Sequence, residues 1–293
     1  MQHSASGVSR DYLINLAIVI AMGLLLASIY APLLLWLGQT TLQAEQLHNG
    51  GLIVVFALVI GLRRLVRSQA VVAEFSRLGL LLIVAGLVCL YAVNLAERWP
   101  ALALLLAMVS FCLSFAGVTA FLFGPRGVKA LLPAIVGVLI LGLLAGLAPG
   151  LDWPLRGMAA KYSAAVLDQL GMNVGVVLQP GQPPRLLLGV KGQIFHVAAE
   201  CNGFGLLTSS LLAAAVLGFY YELSWRERIG LLLLAAPLAV AFNALRIVSI
   251  TLAATHLPLP YMLVHEGFGL VMYASALLIL WWLARKRASR AGE

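Results

Sequence analysis

The chain has 293 residues, of which 62% are hydrophobic and only 10% charged, and its mean hydropathy is +1.00. A soluble domain of this length needs far more charge to cover its surface, so the composition excludes that class and indicates an all-α polytopic membrane protein. The formal charge of +8 does not point to nucleic acid, because the basic residues cluster in short connections between apolar runs, as in membrane proteins generally.

From the N-terminus, apolar runs long enough for spanning helices fall near 13–37, 50–62, 78–95, 101–123, 130–148, 201–222, 229–255 and 264–284. Crossing ~30 Å of hydrocarbon takes roughly 20 residues, so the second run is short. The first is longer than a signal-peptide apolar region and is expected to stay as the first helix. About eight spans put both termini on one side. With that side in the cytoplasm, Arg10, Arg63, Arg64, Arg67, Arg77, Arg126, Lys129, Arg226, Arg228, Arg285, Lys286, Arg287 and Arg290 lie inside, 13 of the 19 Lys and Arg residues. Arg98, Arg156, Lys161, Arg185 and Lys191 lie outside, and Arg246 falls within a span. The asymmetry predicts an N-in, C-in protein of the cytoplasmic (inner) membrane.

The long connection 149–200 is then extracytoplasmic. It opens with Leu155, Met158, Ala159, Tyr162, Val166 and Leu170 at helical spacing, with Arg156, Lys161 and Asp168 interspersed. That pattern suits an amphipathic helix lying on the outer membrane surface. Three extended runs follow, Val174–Gln179, Arg185–Val190 and Gln193–Ala199, punctuated by Pro-Gly-Gln-Pro-Pro and by Lys191-Gly192. The layout divides into helices one to five (1–148), the extracytoplasmic helix and extended segment (149–200), and helices six to eight (201–293), all within one integral membrane domain. Gly142-x-x-x-Gly146 is a possible helix-packing motif.

Three reactive residues share a depth. Cys201 opens the sixth run at its outer end. Arg246 lies 17 residues after Ile229, ~25 Å along an outward-running helix. His265 opens the eighth run, again at the outer end. A thiol, a guanidinium and an imidazole are the parts of a cysteine acyl-transfer site. Each also has a plainer reading. Cysteine in a membrane helix is usually a small packing residue, which suffices for Cys89 and Cys112. Cys201 instead sits in the polar stretch Glu200-Cys201-Asn202-Gly203, where a thiol is accessible. Arginine in a span costs ~2.5–3.5 kcal/mol at mid-helix. It either snorkels or pairs with Glu200 or Glu266, or it stabilises an anion, with Asn243 three residues earlier as a second donor. His196 and His256 compete with His265 for the role of base, and either Glu266 or Glu200 is placed to orient it. Three cysteines do not make a disulfide framework, and no metal-ligand spacing or cofactor motif is present.

Val197-Ala-Ala-Glu-Cys201-Asn-Gly-Phe, Phe242-Asn243-Ala-Leu-Arg246-Ile and His265-Glu-Gly-Phe-Gly resemble the three signatures of the exosortase/archaeosortase family. The resemblance is specific over about 174–270. The family often has Ser or another small residue where this chain has Asn202, and Glu200 is unusual. No appended extracytoplasmic domain is expected after the last run. The resemblance implies a membrane cysteine protease and transpeptidase. Such enzymes cleave C-terminal sorting tails, of which PEP-CTERM is the bacterial example, on exported membrane-tethered proteins at the outer face. Cys201 would be the nucleophile, Arg246 the oxyanion or thiolate stabiliser and His265 the general acid/base. Asn243, Asn202, Glu200 and Glu266 would support them. No cofactor is implied. The partners would be the tailed substrates, membrane lipids and an amine acceptor.

The competing reading is a transporter or flippase for an anionic lipid-linked precursor in envelope assembly. Arg246 would then bind phosphate and Cys201 would be dispensable. A structural membrane subunit would tolerate change at all three positions. A serine protease fits poorly, because Ser209 and Ser210 lie deeper in the sixth run.

Overall fold

The computed structural model describes residues 10–67, 76–181, 184–197, 201–257 and 260–291. Among the described residues there are eight helices and one small sheet: α1 Arg10–Ile29, α2 Ala31–Gln43, α3 Glu45–Arg67, α4 Arg77–Leu95, α5 Pro100–Gln169, β1 Val174–Gln179, β2 Arg185–Val190, β3 Gln193–His196, α6 Phe204–Tyr220, α7 Trp225–His256 and α8 Tyr261–Ala291. Five helices are long and apolar enough to cross a membrane, or six if the bent α1–α2 pair is one span. With the large exposed apolar side chains of α1 to α4, this is a polytopic membrane protein whose outer faces meet lipid.

The eight apolar runs do not map one to one onto the eight helices. The first is two helices, bent by 73°, because Pro32 sits in the first turn of α2 and the chain turns at Tyr30. The second is not short: α3 begins at Glu45 and runs for 23 residues. The fourth and fifth share α5, whose helical geometry breaks at Gly124 (φ 65°, ψ −168°). Pro125 then opens the next helical stretch at the position proline tolerates best. That stretch continues through Pro149 and Pro154 to Gln169, so the expected amphipathic helix is not a separate element. Its buried face is Leu155, Ala159, Ala160, Ser163 and Leu167, whereas Met158, Tyr162 and Leu170 are exposed. The sixth run gives a helix only from Phe204, and its 17 residues fall short of a full span.

The chain forms two compact units, one from residues 1–43 and 54–143 and the other from 44–53 and 144–293. In the first, α4 and α5 approach almost backbone to backbone. A side chain at Gly79 would lie 2.5 Å from the Phe121 nitrogen, and one at Gly86 would lie 2.2 Å from Ser114 Oγ. This small-residue contact is how helices associate when lipid removes the hydrophobic drive. Gly142 packs on Met108, but Gly146 is exposed, so the Gly-x-x-x-Gly pair is used at one end only. Tyr30 hydroxyl bonds Ser110 Oγ at 2.6 Å and Ser114 Oγ at 2.8 Å.

In the second unit the three strands form an antiparallel meander, β1-β2-β3, with Val174 opposite Val190 and Leu188 opposite Phe195. Lys191 and Gly192, both at positive φ, make the tight turn. The expected third strand ends at His196, and residues 198–200 lie outside the described residues. Leu186, Leu188 and Val190 alternate inward. They bury against Ala159, Ala160 and Leu167 of α5, Ile247 and Val248 of α7, and Cys201. One core therefore joins the sheet, the end of α5 and the α7 turn that follows Arg246. Away from this core, α6, α7 and α8 pack through Ala214, Leu231, Ala235, Leu280 and Ala284.

Candidate active site

Cys201 does not lie on the sixth helix. It sits in the turn that enters α6, with its peptide held on both sides. Asn243 of α7 donates through Nδ2 to the Cys201 carbonyl at 3.0 Å. Asn202 Oδ1 accepts from the Phe204 amide at 2.8 Å, which satisfies one of the first open N–H groups of α6. Gly203 takes φ 82° between them. It must lack a side chain, since a Cβ there would stand 2.7 Å from Asn243 Cγ.

Arg246 lies one turn beyond Asn243 on α7, and His265 lies near the start of α8. The structure brings both to Cys201. Cys201 Sγ is 3.7 Å from His265 Nε2, and Arg246 Nη2 is 3.2 Å from the same nitrogen. His265 Nδ1 is 3.4 Å from Glu266 Oε1. A carboxylate at Nδ1 and a guanidinium at Nε2 fix the neutral ring with its proton on Nδ1. Nε2 then accepts from Arg246 with the Cys201 thiol 3.7 Å away, so the imidazole can serve as base to the thiol once the guanidinium yields its lone pair. Gly269, one turn after His265, makes room for Arg246: a Cβ there would be 3.2 Å from Nη2 and 3.3 Å from Nε.

The three residues border a cavity of about 510 Å³, within the range of small-molecule and peptide clefts. A second, far smaller recess of about 30 Å³ lies behind Cys201, among Leu188, Phe195, Ile247 and Ile250. Of the other candidates, Asn202 is buried, and Glu266 is exposed at the cavity edge. Asn243 is 3% exposed; it borders the cavity, and its amide donates to the Cys201 carbonyl. Glu200 lies outside the described residues. His256 is not at the site. Its Nδ1 bonds the Leu252 carbonyl at 2.9 Å and the Thr255 hydroxyl at 2.8 Å, at the C-terminal end of α7. His196 ends β3 and borders the small recess.

Three participants escaped the sequence. Gln46 and Asn49 on the first turns of α3 line the cavity, and they were hidden because the apolar run was started at residue 50. Asp152 on α5 accepts from Asn202 Nδ2 at 2.7 Å. Its one sequence signal was the Asp152-Arg156 spacing of four, which makes an ion pair on the same helix face.

The transmembrane exosortase (EpsH) family model matches residues 36–282, which spans all three reactive segments. The chain belongs to the transmembrane exosortase family. No curated protein and no solved structure gives a match. As an exosortase-family membrane protein, it presents Arg246 and His265 to a cavity, where ionisable residues in membrane proteins are generally found.

Proposed function

We propose that this protein is an exosortase-like cysteine protease and transpeptidase of the cytoplasmic membrane, with both termini in the cytoplasm and its site at the outer face. It would cleave C-terminal sorting tails of the PEP-CTERM kind. The observation that carries this reading is the meeting of Cys201 Sγ and Arg246 Nη2 at one nitrogen of His265, at 3.7 and 3.2 Å.

The chemistry runs as a balanced acyl transfer. The thiol proton passes to His265 Nε2 as Sγ bonds to the scissile carbonyl carbon and the carbonyl π pair moves onto oxygen. The imidazolium so formed can no longer accept from Arg246. The guanidinium is thereby released toward the new oxyanion, whose charge it neutralises. Collapse of that intermediate breaks the C–N bond, and the leaving amine takes the proton from Nε2. A thioester remains on Cys201. An amine acceptor or water then attacks it, giving up a proton to His265, and the thiol leaves with a proton restored. A substrate tethered by its own transmembrane helix raises the local concentration of the cut site.

The test is a cellular processing assay with a tailed reporter, the wild type, Cys201→Ala, Arg246→Ala and His265→Ala, each checked for membrane insertion. Wild-type cleavage that is lost in Cys201→Ala is the expected result. Cleavage that persists in Cys201→Ala would remove the proposed nucleophile.

A further inference from the structure

Asp152 has no part in the acyl-transfer chemistry, yet it reaches the residue next to the nucleophile. Asn202 is 4% exposed. Its Nδ2 donates to Asp152 Oδ1 at 2.7 Å and approaches Gln46 Oε1 at 3.5 Å. Asp152 is held in turn by Arg156, whose Nε donates to Oδ1 at 3.0 Å and whose Nη2 bonds Oδ2. The Cys201–Gly203 turn has a left-handed residue at its end, and side chains of other elements bond to it at Cys201 and at Asn202. Its position therefore depends on side chains from elsewhere. Asn243 fixes the Cys201 carbonyl, and the Asp152–Asn202 pair fixes the other side of the turn.

The structure assigns to Asp152 the role of a positioning residue: with Arg156 behind it, it grips Asn202 and so sets where Cys201 Sγ stands relative to His265. This rests on the reading of Cys201 as the nucleophile. A displacement of about 1 Å in reacting groups can cost ~100-fold in rate, so a charge-assisted bond to the residue next to the nucleophile is placed to matter. The pairing also has a direction. The acid is on α5 and the amide donor is in the turn. Asn202→Asp alone would set two carboxylates against each other at the same contact, and adding Asp152→Asn would restore a donor and acceptor with their places exchanged. The double-mutant cycle isolates this pairwise term.

The experiment uses the full chain in lipid nanodiscs, with two readouts. One is the rate of Cys201 alkylation by N-ethylmaleimide, followed peptide by peptide by mass spectrometry. The other is kcat and KM on the tailed reporter, normalised to the folded fraction. Asp152→Ala is expected to raise the alkylation rate of the otherwise buried thiol several-fold and lower kcat ~10- to 100-fold, with KM within about twofold. Asn202→Asp should be at least as damaging, and Asp152→Asn in the same chain should recover kcat to within about fivefold of wild type. A purely structural role would change the folded fraction and leave kcat and alkylation of the folded molecules untouched, and that result overturns the proposal. So does a double variant no better than Asn202→Asp alone. If the wild type does not cleave, the protease reading fails, while the alkylation rates and their rescue still decide whether Asp152 positions the thiol.

Discussion

The two compact units bury polar groups in opposite ways. Around Tyr30 every proton has one destination. Ser110 donates to the Gly86 carbonyl at 2.7 Å, so Tyr30 must donate to Ser110, and Ser114 must donate to Tyr30. The chain of bonds ends on the Gly86 carbonyl, beside Phe111, whose ring meets Tyr30 edge-on at 5.3 Å. Around Cys201 the groups are ordered by their neighbours but face a cavity of about 510 Å³. A closed network in a low-dielectric interior fixes structure. An open one, held from behind by Asn243 and Asp152, leaves a thiol, an imidazole and a guanidinium able to change partners. Cysteine shows the same contrast. Cys112 is buried in the first unit among Leu65, Leu131 and Ile135, with its thiol toward the Ile135 carbonyl, while Cys201 borders the cavity.

Substitutions at the cavity of the second unit should therefore appear in rate, and those in the first unit or away from the cavity in stability. The largest effect is expected from Cys201→Ala. Reporter cleavage should fall more than ~10³-fold with the melting temperature unchanged, whereas Cys112→Ala should process the reporter normally. Arg246→Lys keeps the charge but loses the planar fork, and turnover should drop ~10²-fold, as for removal of an oxyanion donor. Gly86→Leu forces a side chain into Ser114 and should cost the fold ~3 kcal/mol or more, read as a lower melting temperature and poor insertion. Its folded fraction should keep wild-type turnover. Tyr30→Phe removes two hydrogen bonds but no volume. It should destabilise by ~1 kcal/mol and leave activity alone. The smallest change is His256→Ala, which strips a helix C-terminus of a cap and should cost under ~1 kcal/mol. A loss of turnover there would mean that a second histidine serves the site.

Much of the site could be read from the sequence, because Cys201 and His265 open apolar runs in motifs with glycines and Arg246 is a charge within a span. The glycines have separate uses: Gly203 admits Asn243 and Gly269 admits Arg246. The strands were also legible, since their alternation and the Lys191-Gly192 turn are local signals. Helix boundaries were not, and two proline–glycine pairs show why. At Gly124-Pro125 the glycine takes φ 65° and the helix breaks. At Pro149-Gly150 the helix continues, although the sequence gives a similar warning. Proline and glycine are tolerated in membrane helices when neighbours satisfy the freed backbone groups, and neighbours are not visible in a local window. Asp152 was missed for the same reason. Its second partner, Asn202, lies 50 residues away in the chain, and only the fold sets the two side by side.

The contact between Gly203 and Asn243 also constrains how this protein can change over generations. Any side chain at 203 meets both an unfavourable φ of 82° and an amide 2.7 Å away. Shrinking position 243 first would clear the space but release the Cys201 carbonyl, so neither substitution opens a path for the other. The two positions are locked together by inheritance, and drift at the site has to proceed through the residues around them.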